Sequence, residues 1–351
     1  MATRRRRFHL RTERLVVRML ARADVTAFVR YRNLPEVALH QDWPLPYTRD
    51  LAHQLVDELE RLDGPTAGGW AQLAVALPDG TLVGDVAVWL DAAGTFAMLG
   101  YTLAPEHQGR GYATEAVSAV IDWLFAGGPG HVPVHRIAAT LDPANLASAR
   151  VLESCGFEYV GTAREAALVR GSWADDARFS LLQSDWDAWK SRPTHRPDDV
   201  ELIELAHSDV RRLLAIAPAY SQRRLVAPVG TSLAEALLPP TENGHHVTAW
   251  YRGIRADGEL VGFAMVAEPH AGEPHPYLWR MVIDRPHQQR GIGRRAVLAI
   301  ADHWRAAGAR RLKVSYVPDV PGNPARFYEG LGFLPTGHVD DGEVEAALDL
   351  T

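Results

Sequence analysis

The chain contains an internal repeat. The segment HQGRGYATEA, residues 107–116, nearly returns as HQQRGIGRRA, residues 287–296, so each position recurs 180 residues later. A second pair, DGTLVG at 79–84 and DGELVG at 257–262, lies upstream of the two copies. A unit of this length is far longer than the repeats of a solenoid. The sequence therefore predicts two copies of one domain.

The predicted boundary between the copies is the stretch KSRPTHRPDDV, residues 190–200, which is polar, contains prolines and has no hydrophobic periodicity. We therefore assign an N-terminal domain to residues 1–190, a linker to 191–199 and a C-terminal domain to 200–351. The full length of 351 residues is enough for two domains that each bury a core.

Both copies show the same order of local patterns. Apolar residues at i, i+3, i+4 and i+7 follow each glycine-rich segment and predict a helix with one buried face. Short β-branched and aromatic runs before it predict strands, and the Asp-Gly pairs at 79–80 and 257–258 predict hairpin turns. We expect each unit to begin with helices, continue as an antiparallel meander and end as strand, loop, helix, strand and helix. This order predicts an α/β (α+β) fold whose mixed, mostly antiparallel sheets are flanked by helices.

Composition limits the classes of function. Hydrophobic residues make up 47% and charged residues 23%, as in soluble globular proteins. The one cysteine, Cys155, excludes an internal disulfide, and we expect it to be a small buried residue. The sequence contains no apolar run of transmembrane length and no signal peptide. A net charge of −6, with a basic run only at Arg4–Arg7, argues against nucleic acid. We expect a cytoplasmic protein with small or soluble partners and no membrane contact.

The glycine-rich segments carry the first indication of chemistry. A glycine turn between a strand and a helix points several backbone N–H groups at one place, and the helix dipole adds positive partial charge, which suits a diphosphate. Turn geometry alone also explains one such segment, but two copies in the same context favour ligand binding. The segments match neither a dinucleotide-binding fingerprint nor a P-loop. Nearby positive charge is available from Arg110, Arg290, Arg294 and Arg295.

Both halves resemble the GNAT superfamily of acyl-CoA-dependent N-acetyltransferases, whose signature is this Q-x-x-G-x-G/A loop around the coenzyme diphosphate. The first half is similar to the ribosomal-protein-alanine acetyltransferase branch in TERLVVRML and NLASARVLESCGF. The second half is similar to the diamine and polyamine acetyltransferase branch in YLWRMVIDRPHQQRGIGRRAV and FYEGLGF. The resemblance covers nearly the whole chain apart from the tail and the linker. It implies acetyl-CoA, or another acyl-CoA, as co-substrate and no metal.

The resemblance also implies which residues bind the coenzyme. In the family, a backbone N–H of the strand before the loop polarises the thioester carbonyl, here around Gly100 and Tyr101 or around Met281 and Val282. The other implied positions of the first unit are Gln108, Gly109, Arg110, Gly111, Tyr112, Ala113 and Asn145. Those of the second unit are Gln288, Gln289, Arg290, Gly291, Ile292 and Gly293.

A tyrosine on the last helix commonly acts as the acid in this family, and in FYEGLGF it is Tyr328. The alternative for Tyr328 is an aromatic residue that only fills the core. The matching position of the first unit is Leu152, which cannot donate a proton. Ser148 lies one helical turn earlier and is the candidate there. Its alternative is purely local, with Asn145 as the N-cap and Ser148 as the third residue of the helix.

The general base is less well indicated. Glu268 and Glu343 of the second unit are the candidate carboxylates, although such residues are commonly just solvated. The acidic residues of that half suit a cationic substrate, or simply form a charged hairpin face: Glu268, Glu273, Asp340, Asp341 and Glu343. In the first half, HQDWPLPYT at 40–48 resembles a loop that walls the acceptor pocket with Trp43 and Tyr47.

These observations favour acetyl transfer to a primary amine of a small molecule, with the C-terminal domain as the better catalytic candidate. One alternative is a bifunctional enzyme whose N-terminal domain acetylates a peptide or protein amine. Another is a one-site enzyme whose N-terminal domain only binds coenzyme or supports its twin. The acceptor itself is not indicated, because variable loops build the acceptor pocket.

Overall fold

The computed structural model describes residues 7–128, 132–242 and 245–351, so Arg4, Arg5 and Arg6 of the basic run lie outside the described residues. The chain divides into two compact units, Met1–Lys190 and Ser191–Thr351. Among the described residues, no helix is both long enough and apolar enough to cross a membrane.

The first unit is built on an eight-stranded sheet with the order β1-β2-β3-β4-β5-β6-β8-β7. Its strands are β1 His9–Arg11, β2 Val16–Met19, β3 Trp70–Ala76, β4 Leu82–Leu90, β5 Phe96–Leu103, β6 Arg136–Leu141, β7 Glu158–Val169 and β8 Ser172–Leu182. Its helices are α1 Val25–Arg32, α2 Pro35–Ala38, α3 Arg49–Leu59, α4 Tyr112–Ala126 and α5 Leu146–Ser154, and α6 Gln183–Ser191 follows at its end. The pairing of β5 with β6 is parallel and the other pairings are antiparallel.

The second unit repeats this design with a seven-stranded sheet in the order β16-β17-β15-β14-β13-β12-β9. The strands of the unit are β9 Val200–Ile203, β10 Thr241–Glu242, β11 His245–His246, β12 Ala249–Ala256, β13 Glu259–Ala267, β14 Tyr277–Ile283, β15 Arg311–Tyr316, β16 Leu334–Asp340 and β17 Glu343–Asp349, of which β10 and β11 form a separate pair. Its helices are α7 Val210–Ala215, α8 Val229–Leu237, α9 Ile292–Ala306 and α10 Ala325–Glu329. The predicted fold class is confirmed for both units.

The expectation that each unit begins with helices is wrong. Short strands come first in both units: β1 and β2 in the first unit and β9 in the second. They join the sheet beside the predicted hairpin, where β2 pairs with β3 and β9 pairs with β12. In the first unit Leu15, Val17 and Met19 are buried while the residues between them are less so, which is the two-residue period of a strand. Segments of three or four residues are too short for that period to stand out in the sequence alone.

The helix predicted after each glycine-rich segment is present and packs as its period indicates. In the second unit, one face of α9 is buried in the core against the sheet through Ile292, Ala296, Val297, Ile300, Ala301 and Trp304. The corresponding helix of the first unit, α4, buries Ala113, Ala116, Val117, Val120, Ile121 and Leu124. The glycine-rich loops are therefore held at the starts of two well-anchored helices.

The repeated DG-x-LVG segment is explained by close approach of strands. A Cβ atom on Gly84 would lie 2.2 Å from the carbonyl oxygen of Thr102, and one on Gly262 would lie 2.7 Å from that of Val282. Both distances are far below van der Waals contact, so only glycine fits. The two copies share this glycine because β4 meets β5 as β13 meets β14.

The one parallel pairing in each unit is short, and this creates a cleft. β5 and β6 pair only at residues 96–98 and 136–138, and β14 pairs with β15 only at Tyr277 and Lys313. Beyond these points the strands diverge towards their carboxyl ends. Each wedge therefore opens beside the glycine-rich loop that follows β5 or β14.

Candidate active site

The two glycine-rich loops follow the same backbone path. Gly109 and Gly111 have φ values of 71° and 78°, and the matching residues Gln289 and Gly291 have 62° and 80°. All four lie in the left-handed region, which costs a residue other than glycine roughly 1–2 kcal/mol. Gln289 adopts it without being glycine, so this loop conformation is kept despite a local energetic cost.

The glutamine of each loop binds the chain itself. The side-chain amide of Gln108 donates to the carbonyl of Leu103 at 3.0 Å, and that of Gln288 donates to the carbonyl of Ile283 at 2.9 Å. Gln288 also donates to Oε1 of Gln222 at 2.8 Å. The implied coenzyme contact of these two side chains is therefore corrected to a positioning role, because their amides tie the loop to the end of the preceding strand.

Each loop leaves a set of backbone donors available. Glu115 and Arg295 donate their N–H groups to the carbonyls of Gly111 and Gly291, at 3.1 and 3.2 Å. Before them, the N–H groups of residues 109–114 and 289–294 have no acceptor within the described part of the chain. The first turn of a helix always leaves such donors, and here the left-handed loop residues add more. Together with the dipole of a fifteen-residue helix, these donors make each loop a candidate anion site.

Arg290 does not turn its charge towards this anion site. Only 4% of the residue is exposed, and Nε donates to the carbonyl of His195 at 2.8 Å. Its other nitrogens approach Nδ1 of His287 at 3.1 Å and Asp257 at 3.4 Å. The predicted phosphate contact of this side chain is therefore wrong, since the guanidinium is used inside the protein, and only the backbone N–H of Arg290 is available.

The other three arginines named from the sequence differ in whether their side chains bind within the protein. Arg295 donates to the carbonyls of Pro197 and Asp198, so the segment predicted as a linker is bound to the second unit. Arg294 lines the cavity described below and donates to the carbonyl of Gly330 at 2.7 Å. Arg110 of the first unit is exposed.

A cavity of about 860 Å³ fills the wedge of the second unit. Its walls come from β14, the carboxyl end of β15, the glycine-rich loop and the segment that follows α7. It brings together several positions predicted from the sequence: Met281, Val282, Gln288, Gln289, Gly291, Ile292, Gly293, Tyr328 and Glu343. The volume lies within the range typical of ligand pockets.

The direction of the strand N–H groups distinguishes the two carbonyl-polarising candidates of each unit. Asp284 donates its N–H to Val261 of β13, and N–H directions alternate along a strand, so Val282 also faces β13. Met281 faces the open side of β14, where β15 has diverged. The same alternation, starting from the bond of Ala104 to the strand before it, turns Tyr101 and not Gly100 towards the wedge of the first unit. The implied roles of Val282 and Gly100 are therefore wrong.

The position of Tyr328 is compatible with both interpretations considered for it, and its role as the acid stays a prediction. Its ring stacks on Tyr316 at 6.1 Å and meets Phe327 and Phe333 edge-on, at 5.1 and 5.4 Å, so it is part of the core. It also lines the cavity. Burial raises the pKa of its hydroxyl well above the usual range, so the hydroxyl remains protonated at neutral pH.

The two candidate carboxylates are separated by the structure. Glu343 begins β17 and lines the cavity, whereas Glu268 is not among the residues that line it. Glu268 follows β13, at the end of the sheet where β14 and β15 remain paired, which is the closed end of the wedge. The structure therefore gives no support to Glu268 as base and brings Glu343 and Tyr328 together.

The acidic character of this half is smaller than its composition indicated. Nζ of Lys313 contacts Glu273 at 2.8 Å and Glu345 at 3.0 Å, which neutralises much of their charge. Glu235 pairs with Arg280 at 3.3 Å. Of the five acidic residues named from the sequence, only Glu273 is in these pairs, and Glu343 lines the cavity, so the suggestion that they suit a cationic substrate stays a prediction.

In the first unit, Ser148 meets a residue whose side chain the sequence did not single out. The Ser148 hydroxyl donates to the Tyr101 hydroxyl at 3.0 Å, and Tyr101 donates to the carbonyl of Ser148 at 2.7 Å. Asn145 also caps the helix by accepting from the Ser148 N–H at 3.0 Å, so the local interpretation holds too. The counterpart of Tyr101 in the repeat is Met281. This difference between the two copies was the feature of the sequence that could have pointed to Tyr101.

A buried ionic network in the first unit was also missed. Asp85 is 1% exposed and binds Arg32 at 3.3 Å, together with the hydroxyl of Tyr31 and the amide of Gln72. Burial raises the pKa of Asp85, and Arg32 opposes that rise. The feature of the sequence that could have indicated this network was the single aspartate, Asp85, inside the apolar strand LVGDVAVWL.

Trp43 and Tyr47, predicted as walls of an acceptor pocket, cover this network. Their rings lie 4.2 and 5.1 Å from the guanidinium carbon of Arg32, and the Trp43 indole donates to the Arg32 carbonyl at 3.1 Å. Cys155 is buried as expected, and burial raises the pKa of its thiol to about 12.

Comparison with known proteins agrees with this geometry. Residues 14–158 match the acetyltransferase (GNAT) domain, and residues 213–333 match the acetyltransferase (GNAT) family. The fold and the two loops therefore define a protein of two acetyltransferase domains. The chain belongs to the GNAT acetyltransferases, with one copy in each half.

Relatives include a probable N-acetyltransferase, YjcK of Bacillus subtilis, which is 38% identical over 30% of this chain and 58% of its own length. The [ribosomal protein uS5]-alanine N-acetyltransferase of Escherichia coli is 35% identical over 25% of this chain and 43% of its own. The chain thus spans about half the length of these relatives. Among solved structures, spermidine N-acetyltransferase from Vibrio cholerae in complex with CoA and spermine matches 50% of this chain and 99% of its own, with 23% identity and a TM-score of 0.43.

Proposed function

We propose that the second unit transfers an acetyl or related acyl group from acyl-CoA to a primary amine of a small molecule. The observation that carries the proposal is the row of unpaired N–H groups at residues 289–294, which opens into a cavity that also contains Tyr328 and Glu343. An anion site beside a wedge between diverging strands suits a long carrier that has a diphosphate at one end and a thioester at the other. The CoA-bound acetyltransferase matched above is a precedent for such a carrier on this fold.

The proposed reaction uses each of these groups once. The diphosphate binds the N–H groups of 289–294, and the thioester arm runs along β14 on its open side. Glu343 takes a proton from the incoming ammonium, and the neutral amine then attacks the carbonyl carbon. The Met281 N–H stabilises the oxyanion of the tetrahedral intermediate. As the carbon–sulfur bond breaks, the thiolate takes the proton of the Tyr328 hydroxyl, and the positively charged nitrogen of the new amide releases its extra proton to solvent. Glu343 then gives its proton to solvent, and solvent restores the proton of Tyr328.

Tyr328→Phe tests the acid. We expect turnover in a thiol-release assay to fall by about 100-fold or more while the affinity for acetyl-CoA is unchanged, because only the proton is removed. The control is Tyr316→Phe, since Tyr316 stacks on Tyr328 and is similarly buried. If both variants keep the parent turnover, Tyr328 is not the acid.

For the first unit we propose coenzyme binding as well, supported by the unpaired N–H groups of residues 109–114. Ser148, paired with Tyr101, is its candidate acid, and a peptide or protein amine is its candidate acceptor. Calorimetric titration of the full chain with CoA should give two binding events, one of which Gly291→Ala weakens. A single event that disappears in Gly291→Ala would identify the first unit as a non-catalytic partner.

Cytoplasmic localisation of the protein also stays a prediction.

A further inference from the structure

We propose that the amine accepted by the second unit also carries an anionic group, a carboxylate or a phosphate, which Arg280 binds while Glu343 faces the amine. The inference rests on the proposed acyl transfer and specifies its substrate class. It also separates this unit from acetyltransferases that act on polyamines.

The charge balance of the cavity is the first observation. Among the described residues, Glu343 is the one carboxylate that lines the cavity. Four arginines line it as well: Arg223, Arg224, Arg280 and Arg294. The phosphates of bound acyl-CoA would neutralise the arginines near the diphosphate site, Arg294 among them, so the acceptor meets chiefly Arg280, which attracts an anionic group. Arg280 is itself paired with Glu235 at 3.3 Å through one of its nitrogens, whereas Arg224 and Arg294 have no carboxylate partner in the described chain.

The position of Arg280 separates it from the diphosphate site. Arg280 lies on β14 three residues before Ile283, roughly 10 Å from the end of the strand at 3.3 Å per residue. A β-bulge at Trp279 interrupts the pairing with β13 immediately before it. The first unit has no such irregularity between β4 and β5. Bulges re-aim side chains, and here Arg280 is directed to Glu235 of α8, whereas the diphosphate site lies at the start of α9.

The guanidinium of Arg280 retains hydrogen-bonding capacity. Nη1 donates to the carbonyl of Trp279 at 2.8 Å, and Nη2 to Glu235 at 3.3 Å, while Nε is buried without a partner. An arginine has five N–H donors, so these two contacts leave most of them unused. A planar oxyanion such as a carboxylate, or a phosphate, is the acceptor that such a fork suits best.

Arg280 and Glu343 lie at the same end of the cavity. Both act on the hydroxyl of Tyr277, whose pKa burial raises, with Glu343 adding to the rise and Arg280 opposing it. The Glu343 side chain has no hydrogen bond or ion pair to any other part of the described chain, so its charge is available to an ammonium. Met281, whose N–H faces the reacting carbonyl in the proposed reaction, is the next residue after Arg280. One molecule with an amine and an oxyanion would satisfy both charges.

The test compares amines that differ only in the anion, with the full chain and saturating acetyl-CoA. The pairs are phenylalanine with phenethylamine, and glucosamine 6-phosphate with glucosamine, and spermidine serves as the polycation. We expect kcat/KM to be about tenfold or more higher for the anionic member of at least one pair, and the pair that responds identifies carboxylate or phosphate. Equal or faster reaction of the uncharged-tail members, or of spermidine, would overturn the inference.

Arg280→Gln should then lower kcat/KM for the preferred anionic amine on the order of 100-fold, mainly through KM, and lower it by a much smaller factor for the partner that lacks the anion. Arg311→Gln, an exposed arginine outside the cavity, is the matched control. The double variant Arg280→Gln/Glu235→Gln keeps the local charge balance and should show the same selective loss with a parent-like melting temperature. An equal loss for both members of the pair would contradict an anion contact.

A failure of acyl transfer is distinguished by equilibrium binding. If no amine in the panel releases thiol, the proposed function fails, but the same pairs can be titrated into the CoA-loaded chain. Tighter binding of an anionic member, weakened in Arg280→Gln, supports the anion contact by itself. Equal binding within the pairs, or no binding of any anionic member, overturns it.

Discussion

The substitution Gly291→Ala probes the loop on which the proposed function depends. Gly291 has φ of +80°, and a Cβ added to it would have only Nε of Arg196 within reach, at 4.0 Å. Steric crowding therefore contributes little, and the cost is that of a left-handed alanine, about 1–2 kcal/mol. The second unit is of ordinary domain size, so we expect its melting temperature to fall by about 2–8 °C.

Coenzyme affinity should fall with stability. If the loop relieves the cost by leaving the left-handed region, the N–H groups of residues 289–294 no longer point to one place. A loss of 1.4 kcal/mol or more in binding corresponds to about tenfold or more in Kd. Scanning calorimetry of the full chain, with and without CoA, and isothermal titration with CoA measure the two effects.

Two neighbouring positions serve as controls for Gly291→Ala. A Cβ on Gly293 would make an ordinary contact with Phe327 at 3.5 Å, and the first unit has Ala113 at this position. Gly293→Ala should therefore keep CoA affinity and match or slightly exceed the parent stability. Gln289→Gly should raise stability, because it removes a left-handed glutamine. The reasoning is refuted if Gly291→Ala and Gly293→Ala have equal melting temperatures and equal CoA affinities.

Three further predictions concern stability. Gly84→Ala should lower the melting temperature of the first unit, since its Cβ would lie 2.2 Å from a backbone oxygen of the next strand and overpacking costs about 1–3 kcal/mol or more. Asp85→Asn should cost about 3–5 kcal/mol in urea unfolding, because it leaves the buried Arg32 guanidinium without its anion, and a near-parent midpoint would contradict this. Burial opposes ionisation of Glu345, but hydrogen bonds and the charge of Lys313 hold its pKa below the usual 4.5. Its stabilisation is therefore complete above that value and lost as the pH falls through the lowered pKa, so Glu345→Gln should flatten the acid limb of melting temperature against pH.

Much of the architecture is readable from local sequence. The repeat places Gln108 with Gln288 and Gly111 with Gly291, and the periods of the following segments correctly predict α4 and α9. The glycine pattern and the helical period involve only residues close together in the sequence, so both can be recognised without knowledge of the fold. The short first strands β1, β2 and β9 were missed because a segment of three or four residues becomes a strand only through its pairing with the strand beside it.

Local sequence is therefore enough to establish that one α/β unit occurs twice and that each copy has a strand, a glycine-rich loop and a helix in succession. It also makes Tyr328 and Glu343 candidate residues of the site. Local sequence does not show that Glu343 shares a cavity with Tyr328 or that Glu268 lies at the closed end of the wedge. Nor does it show that the Arg290 side chain is buried and donates to the carbonyl of His195. The physical reason is that these neighbours are set by strand register and by the divergence of β14 from β15, and both depend on packing between segments distant in the chain.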